Sequence, residues 1–146
     1  MKIVIQRVKK AQVKVSDNII SEIEAGALIF LGVGKNDSYQ DADYLAQKVV
    51  HLRMFEDDKG KMNLSGIDVQ ASFLVVSQFT LYGNCDKGRR PSFDEAADPE
   101  KGKVFYHYFI QQLLKENVKV LTGEFGAMMD VALVNDGPVT FVIESP

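Results

Sequence analysis

The sequence predicts an α+β fold, an antiparallel or mixed barrel-like β-sheet with two main helices packed outside it. Strand-like segments fill the first 33 residues and return after residue 117. Only two stretches carry helical periodicity. The resulting order, four strands, helix, strand, helix, three strands, lacks the regular alternation that a doubly wound parallel sheet requires.

The opening strands read as IVIQRV, AQVKV, IISEIE and ALIFLGVG, with Ser16-Asp17-Asn18 as a tight turn between the second and third. AQVKV and IISEIE alternate and predict one solvated face, whereas ALIFLGVG is too apolar for that and predicts a buried strand. Asn36, Asp37 and Ser38 offer N-caps for a helix reaching about Arg53, with Ala42, Leu45, Ala46, Val49 and Leu52 as its apolar stripe. MFEDDKGKMNLSGIDVQ reads as loop, and ASFLVVSQFTLYG as a buried strand entering a polar turn. After the loop NCDKGRRPSFDEAADPEKG, Asp98-Pro99 opens a second helix as cap and first-turn proline. Phe105, Tyr108, Phe109 and Leu113 face the core, and Asn117 is the stop. KVLTGEF, GAMMDVALVN and GPVTFVIES read as three further strands.

At 146 residues and 46% apolar, the chain predicts a single domain spanning residues 1–146. No run approaches the roughly 18 apolar residues of a membrane helix, and the alternating N-terminus is not a signal-peptide core, so a soluble, cytoplasmic protein is expected. The net charge of −3 excludes a grip on nucleic acid through global charge, so any RNA contact must be local. A lone cysteine, Cys85, permits no internal disulfide and is not read as a nucleophile. His51 and His107 fall in helical patterns without metal-ligand spacing, so neither a metal nor a cofactor is expected.

Three short segments carry candidate chemistry. In SQFTLYG, extended geometry points Gln78 and Thr80 to one face and Ser77 and Phe79 to the other, setting polar groups at the rim of a buried sheet. These residues read either as strand-end groups satisfying backbone or as a catalytic rim. Ordinary side-chain catalysis is poorly provided: no nucleophile elbow, no triad partner and no paired-carboxylate signature is present. KGRRPSF sets Lys87, Arg89 and Arg90 beside Phe93, which reads as solvated surface or as a loop that pairs with phosphate and stacks on a base. In NDGPVTF, Gly137-Pro138 splits two β-branched runs, although proline donates no backbone hydrogen bond. Asn135, Asp136 and Gly137 suit a plain hairpin turn, and a functional backbone feature is the other reading.

In this order and spacing, SQFTL, GRRPSF and NDGPVTF resemble the signature of the D-aminoacyl-tRNA deacylases. IQRV, GKMNLS and the chain length are similar too, so the likeness spans essentially the whole chain. It implies a homodimeric enzyme that hydrolyses the ester joining a D-amino acid, or misattached glycine, to the 3′ end of tRNA, with no membrane or DNA partner expected. It further implies that a cis Gly137-Pro138 peptide, followed by Val139, reaches from one subunit into the other's site. There its carbonyls meet the substrate α-carbon and exclude L side chains. Arg7 would orient this element, and Asn135 and Thr140 would fix it by hydrogen bonds. Backbone N–H groups near Phe79 and Thr80, flanked by Ser77 and Gln78, would form an oxyanion hole while water attacks and a ribose hydroxyl assists. Thr80 as a covalent nucleophile is the second mechanism. Lys87, Arg90 and Phe93 are the expected RNA contacts; Asn84, Cys85 and Arg89 receive no role. The competing classes are a tRNA- or DNA-binding module without catalysis and a homodimeric interaction protein in which Gly-Pro is only a turn.

Overall fold

The structure is a computed structural model describing residues 1–146. Strand β1 (Lys2–Val15) organises the sheet. One edge pairs antiparallel with β3 (Gly26–Gly32) along its first half and with β2 (Asn18–Ile23) along its second. Its other edge pairs antiparallel with β8 (Asp130–Glu144). Beyond β3 the sheet continues in parallel through β6 (Ser72–Ser77) to β7 (Lys119–Thr122). The Ser21 hydroxyl of β2 donates to the Thr122 carbonyl of β7, which ties the curled sheet across its gap and nearly closes a barrel. A small antiparallel ladder, β4 (Phe55–Glu56) with β5 (Met62–Leu64), lies in the segment read as loop.

IVIQRV and AQVKV, expected as separate strands, form the single β1. The pairing with β8 slips between Val8 and Lys10, so the chain stays in the sheet while its alternation changes phase. The β1–β2 turn has Ser16 and Asp17 at φ 47° and 65°, as a two-residue hairpin loop of the type that follows strand twist requires. The segments GAMMDVALVN and GPVTFVIES are likewise one strand, β8. Residues 123–129 leave the sheet, with Gly126 at φ 80°.

Helix α1 (Tyr39–His51) starts from Ser38, whose N–H and hydroxyl both donate to the Asp41 carboxylate as part of a capping box. Helix α2 (Pro99–Lys115) starts from Asp98, whose side chain accepts from the Lys101 N–H at 3.0 Å. Both helices bury their apolar stripes against the face of the sheet carrying Ile3, Ile5, Ile29, Leu31, Phe73 and Val75. Tyr106 is fully buried there, whereas the expected core residue Tyr108 is half-buried and donates to Asp43. A smaller cluster, with Val8, Ala11, Val13, Leu28 and Leu74, fills the curled end of the barrel. No helix is long and apolar enough to cross a membrane.

Candidate active site

Between Gln6 and Val8 of β1, the facing strand β8 runs from Thr140 to Asn135, so Asp136 to Val139 loop out of the ladder. Both flanks pair with β1 rather than with each other, which rules out the hairpin-turn reading of Asn-Asp-Gly-Pro. Proline lacks a ladder donor, and a bulge is where a strand tolerates it. The Gly137–Pro138 peptide is cis. Gly137 and Pro138 are exposed, and Val139 is buried and anchors the bulge.

Arg7 stands beneath this bulge, 5% exposed. Its Nε donates to the Asp136 carbonyl at 3.2 Å and pairs with the Asp136 carboxylate at 3.2 Å. Its terminal nitrogens donate to the Met54 carbonyl at 2.9 Å and to Glu56 Oε1 at 3.2 Å. The planar guanidinium thus serves several acceptors in fixed directions. The Asn135 side-chain nitrogen, oriented by its surroundings, donates to the carbonyls of Val139 at 3.2 Å and Arg7 at 3.1 Å. Gln6 Nε2 donates to Thr140 Oγ1 at 3.2 Å.

The second candidate segment lies elsewhere. Strand β6 ends at Ser77, the Gln78 N–H donates to the Leu31 carbonyl at 2.8 Å, and Phe79–Tyr82 then form a 3-10 turn. The turn ends the alternation expected for residues 77–80. Its first internal bond runs from the Leu81 N–H to the Gln78 carbonyl, so the N–H groups of Phe79 and Thr80 precede that bond. The Thr80 hydroxyl accepts from the Gln78 side-chain amide, a donor that does not activate a nucleophile. Behind the turn, Tyr82 packs so closely on Gly34 that a Cβ there would stand 2.6 Å from the ring. The Tyr82 hydroxyl donates to Asp37 Oδ2 at 3.2 Å, and Asp37 also accepts from the Gly34 N–H at 2.6 Å and pairs with the Met1 ammonium at 2.7 Å. Burial first, then the Asp37 charge, push the Tyr82 pKa upward and keep it a phenol.

Ser77, Gln78, Phe79 and Thr80 form one wall of a cavity of about 760 Å³. Phe93 forms another, edge-on to Phe79 with centroids 5.1 Å apart. Tyr106, Phe125 and Met129 supply the apolar floor, and the 92%-exposed Met128 stands among the lining residues. Burial raises the Tyr106 pKa to about 12, and its hydroxyl donates to the Val75 carbonyl at 2.8 Å. Lys87 and Arg90 are exposed in the loop closed by the Asn84–Ser92 bridge and do not line the cavity; Cys85 is exposed beside them.

Arg7, Asn135, Gly137, Pro138, Val139 and Thr140 are therefore one cluster, and Ser77 to Thr80 with Phe93 are another. Ser77 is level with Leu31 of β3 and Arg7 with Ala27, and three strand spacings separate β8 from β6. The two clusters lie on the order of 20 Å apart within one chain. Sequence reasoning missed the floor of Tyr106, Phe125 and Met129 and the Asp37–Tyr82 brace. The paired glycines of TGEFGAMM were the one signal that this segment leaves the sheet.

The chain is 56% identical over 146 residues to the D-aminoacyl-tRNA deacylase of Thermosipho melanesiensis, covering 99% of this chain and 97% of that protein. Among solved structures, the c-Myc DNA unwinding element binding protein superimposes with a TM-score of 0.94 at 41% identity, covering 100% of this chain and 99% of that one. A probable eukaryotic D-amino acid tRNA deacylase superimposes with a TM-score of 0.83 at 15% identity, over 98% of each chain, and shares the fold. The family model described as D-Tyr-tRNA(Tyr) deacylase matches residues 4–144. The chain belongs to the D-aminoacyl-tRNA deacylase family.

Proposed function

We propose that the chain is one deacylase domain, residues 1–146, that acts as a cytoplasmic homodimer. It hydrolyses the ester joining a D-amino acid, or misattached glycine, to the 3′ end of tRNA. The observation that carries the composite-site reading is the separation of the two motif clusters: the exposed Gly137–Pro138 bulge lines no part of the cavity in its own chain. A second copy brings the bulge of one subunit to the cavity of the other. What supports such a copy is the sheet face away from the helices, where half-buried Val4 and Phe30 stand in register with Val142, which is 70% exposed.

In this site the ester carbonyl oxygen faces the N–H groups of Phe79 and Thr80. Water oxygen bonds to the carbonyl carbon, the ester C–O bond breaks, and the ribose oxygen leaves with the water proton, assisted by the neighbouring ribose hydroxyl. Phe93 offers an aromatic face to the terminal base, and Lys87 and Arg90 stand outside for RNA phosphate. The carbonyls of the partner's bulge face the α-carbon and reject an L side chain by collision, a selection that glycine and D side chains pass. No metal or cofactor enters this scheme.

The name of the 41%-identical solved structure favours a second reading, nucleic-acid binding without catalysis. Incubation with matched D-tyrosyl-tRNA and L-tyrosyl-tRNA in a chelator separates the two. Rapid loss of the D ester with the L ester spared is expected. Bound tRNA with neither ester cleaved would contradict the deacylase reading.

A further inference from the structure

The slip that keeps β1 continuous has a chemical consequence. Val8 pairs with Asn135 and Lys10 with Val134, so Lys9 is the extra residue, facing the step from Val134 to Asn135 where β8 leads into the Asp136–Val139 bulge. Adjacent strand residues ordinarily point to opposite faces. Here Lys9 and Lys10 are both exposed, and neither belongs to any ion pair of the structure, whose five pairs use Met1, Lys2, Arg7 twice and Lys35. At the bulge, the carboxylates of Asp136 and Glu56 are both engaged by Arg7; Glu24, which continues the β1–β2 register opposite Lys10, forms no ion pair with it. A chain of net charge −3 thus presents two adjacent exposed lysines, in no ion pair, beside the stretch of β8 that leads into the proposed chiral selector.

We infer that Lys9 and Lys10 contact backbone phosphates of the tRNA near its aminoacylated 3′ end. The inference rests on the composite-site reading, in which the 3′ terminus enters a cavity bordered by the partner's bulge. The phosphates just upstream of the terminal nucleoside then pass beside the bulge, and compact, flexible ammonium groups suit them as point charges without sequence preference. These lysines are binding residues, remote from the reacting ester, so their effect falls on affinity for the polyanion.

The test is the double variant K9Q/K10Q, measured for binding of uncharged tRNA across salt and for hydrolysis of D-tyrosyl-tRNA and of the small ester D-tyrosyl-adenosine. Two lost phosphate contacts lower the log–log salt slope by about 1.4–1.8, so raising salt from about 50 to 200 mM weakens wild-type binding about tenfold more than variant binding. The KM for D-tyrosyl-tRNA rises while kcat and hydrolysis of the adenosine ester stay at wild-type values. An unchanged salt slope and KM would overturn the inference, as would an equal loss on the small ester, which would place the lysines in the site or the fold. A reduced salt slope in a protein that cleaves neither D ester would uphold the phosphate contact and sink the deacylase reading instead.

Discussion

Replacing Arg7 with lysine keeps a positive charge but removes the fork. An ammonium group cannot reach the Met54 carbonyl, the Asp136 carbonyl and the Glu56 carboxylate in the directions the guanidinium serves. The Met54 bond is buried, and leaving its acceptor unpaired costs about 1–3 kcal/mol; loss of the Asp136 carbonyl bond adds about 1. The carboxylates of Glu56 and Asp136 are 54% and 39% exposed, so their pairing with Arg7 is screened and adds little. The total of about 2–4 kcal/mol lowers Tm by about 4–16 °C in a chain of this size. Because the Asp136 carbonyl immediately precedes Gly137, the same variant loosens the bulge. Discrimination against the L ester falls about tenfold, the equivalent of one lost hydrogen bond of about 1.4 kcal/mol. Thermal unfolding at fixed protein concentration and single-turnover hydrolysis of D- and L-tyrosyl-tRNA read both effects. An Arg7→Lys protein with wild-type Tm and an unchanged D-to-L ratio would refute the reasoning.

Two further predictions concern the turn and helix α1. Thr80→Ala retains substantial deacylation, within about tenfold of wild type, because the hydroxyl has only a donor beside it and the backbone N–H remains; complete loss with a trapped acyl-enzyme would favour covalent catalysis. Partial burial works against it, but the Ser38 hydroxyl and N–H hold the Asp41 pKa below its ordinary 3.8, at about 2. A folded-state pKa below the unfolded one gives stability that is present above 3.8 and is lost as pH falls toward 2. Asp41→Asn therefore lowers the urea midpoint at pH 7 by the equivalent of about 1 kcal/mol, and the two proteins converge in acid. A gap that persists to pH 2 would remove Asp41 as its source.

Local chemistry made most of the elements legible. Asn36, Asp37 and Ser38, of which Ser38 is the cap, and Asp98 with Pro99 mark both helix starts, and the unbroken apolar run of β3 marks its burial. Long strands were read in pieces because both devices that keep them continuous disrupt alternation. The Lys9-Lys10 slip hides the length of β1, and the Gly137-Pro138 bulge hides that of β8. The resemblance named the motif residues and grouped Arg7, Asn135 and Thr140 with Gly137-Pro138, but not the lining that surrounds Ser77 to Thr80. Register supplies the Asp136 carbonyl as the acceptor that Arg7 holds, and the tertiary fold brings Phe125 and Met129 into the cavity that Ser77 lines. Met1 and Tyr82, the distant partners of Asp37, likewise lie far from it in sequence and meet it through packing.

The composite site is the central claim, and a mixed dimer tests it most directly. One subunit carries Thr80→Pro, which removes a backbone donor from its cavity, and the other carries Gly137→Ala with Pro138→Ala, which impairs its bulge. Any intact cavity in that dimer belongs to the subunit with the impaired bulge. If each bulge serves the other subunit, this cavity still receives an intact one, and the purified mixed dimer hydrolyses D-tyrosyl-tRNA while sparing the L ester, as wild type does. Hydrolysis of L-tyrosyl-tRNA at the per-site rate of the Gly137→Ala, Pro138→Ala homodimer would show that each bulge serves its own chain and would contradict the account.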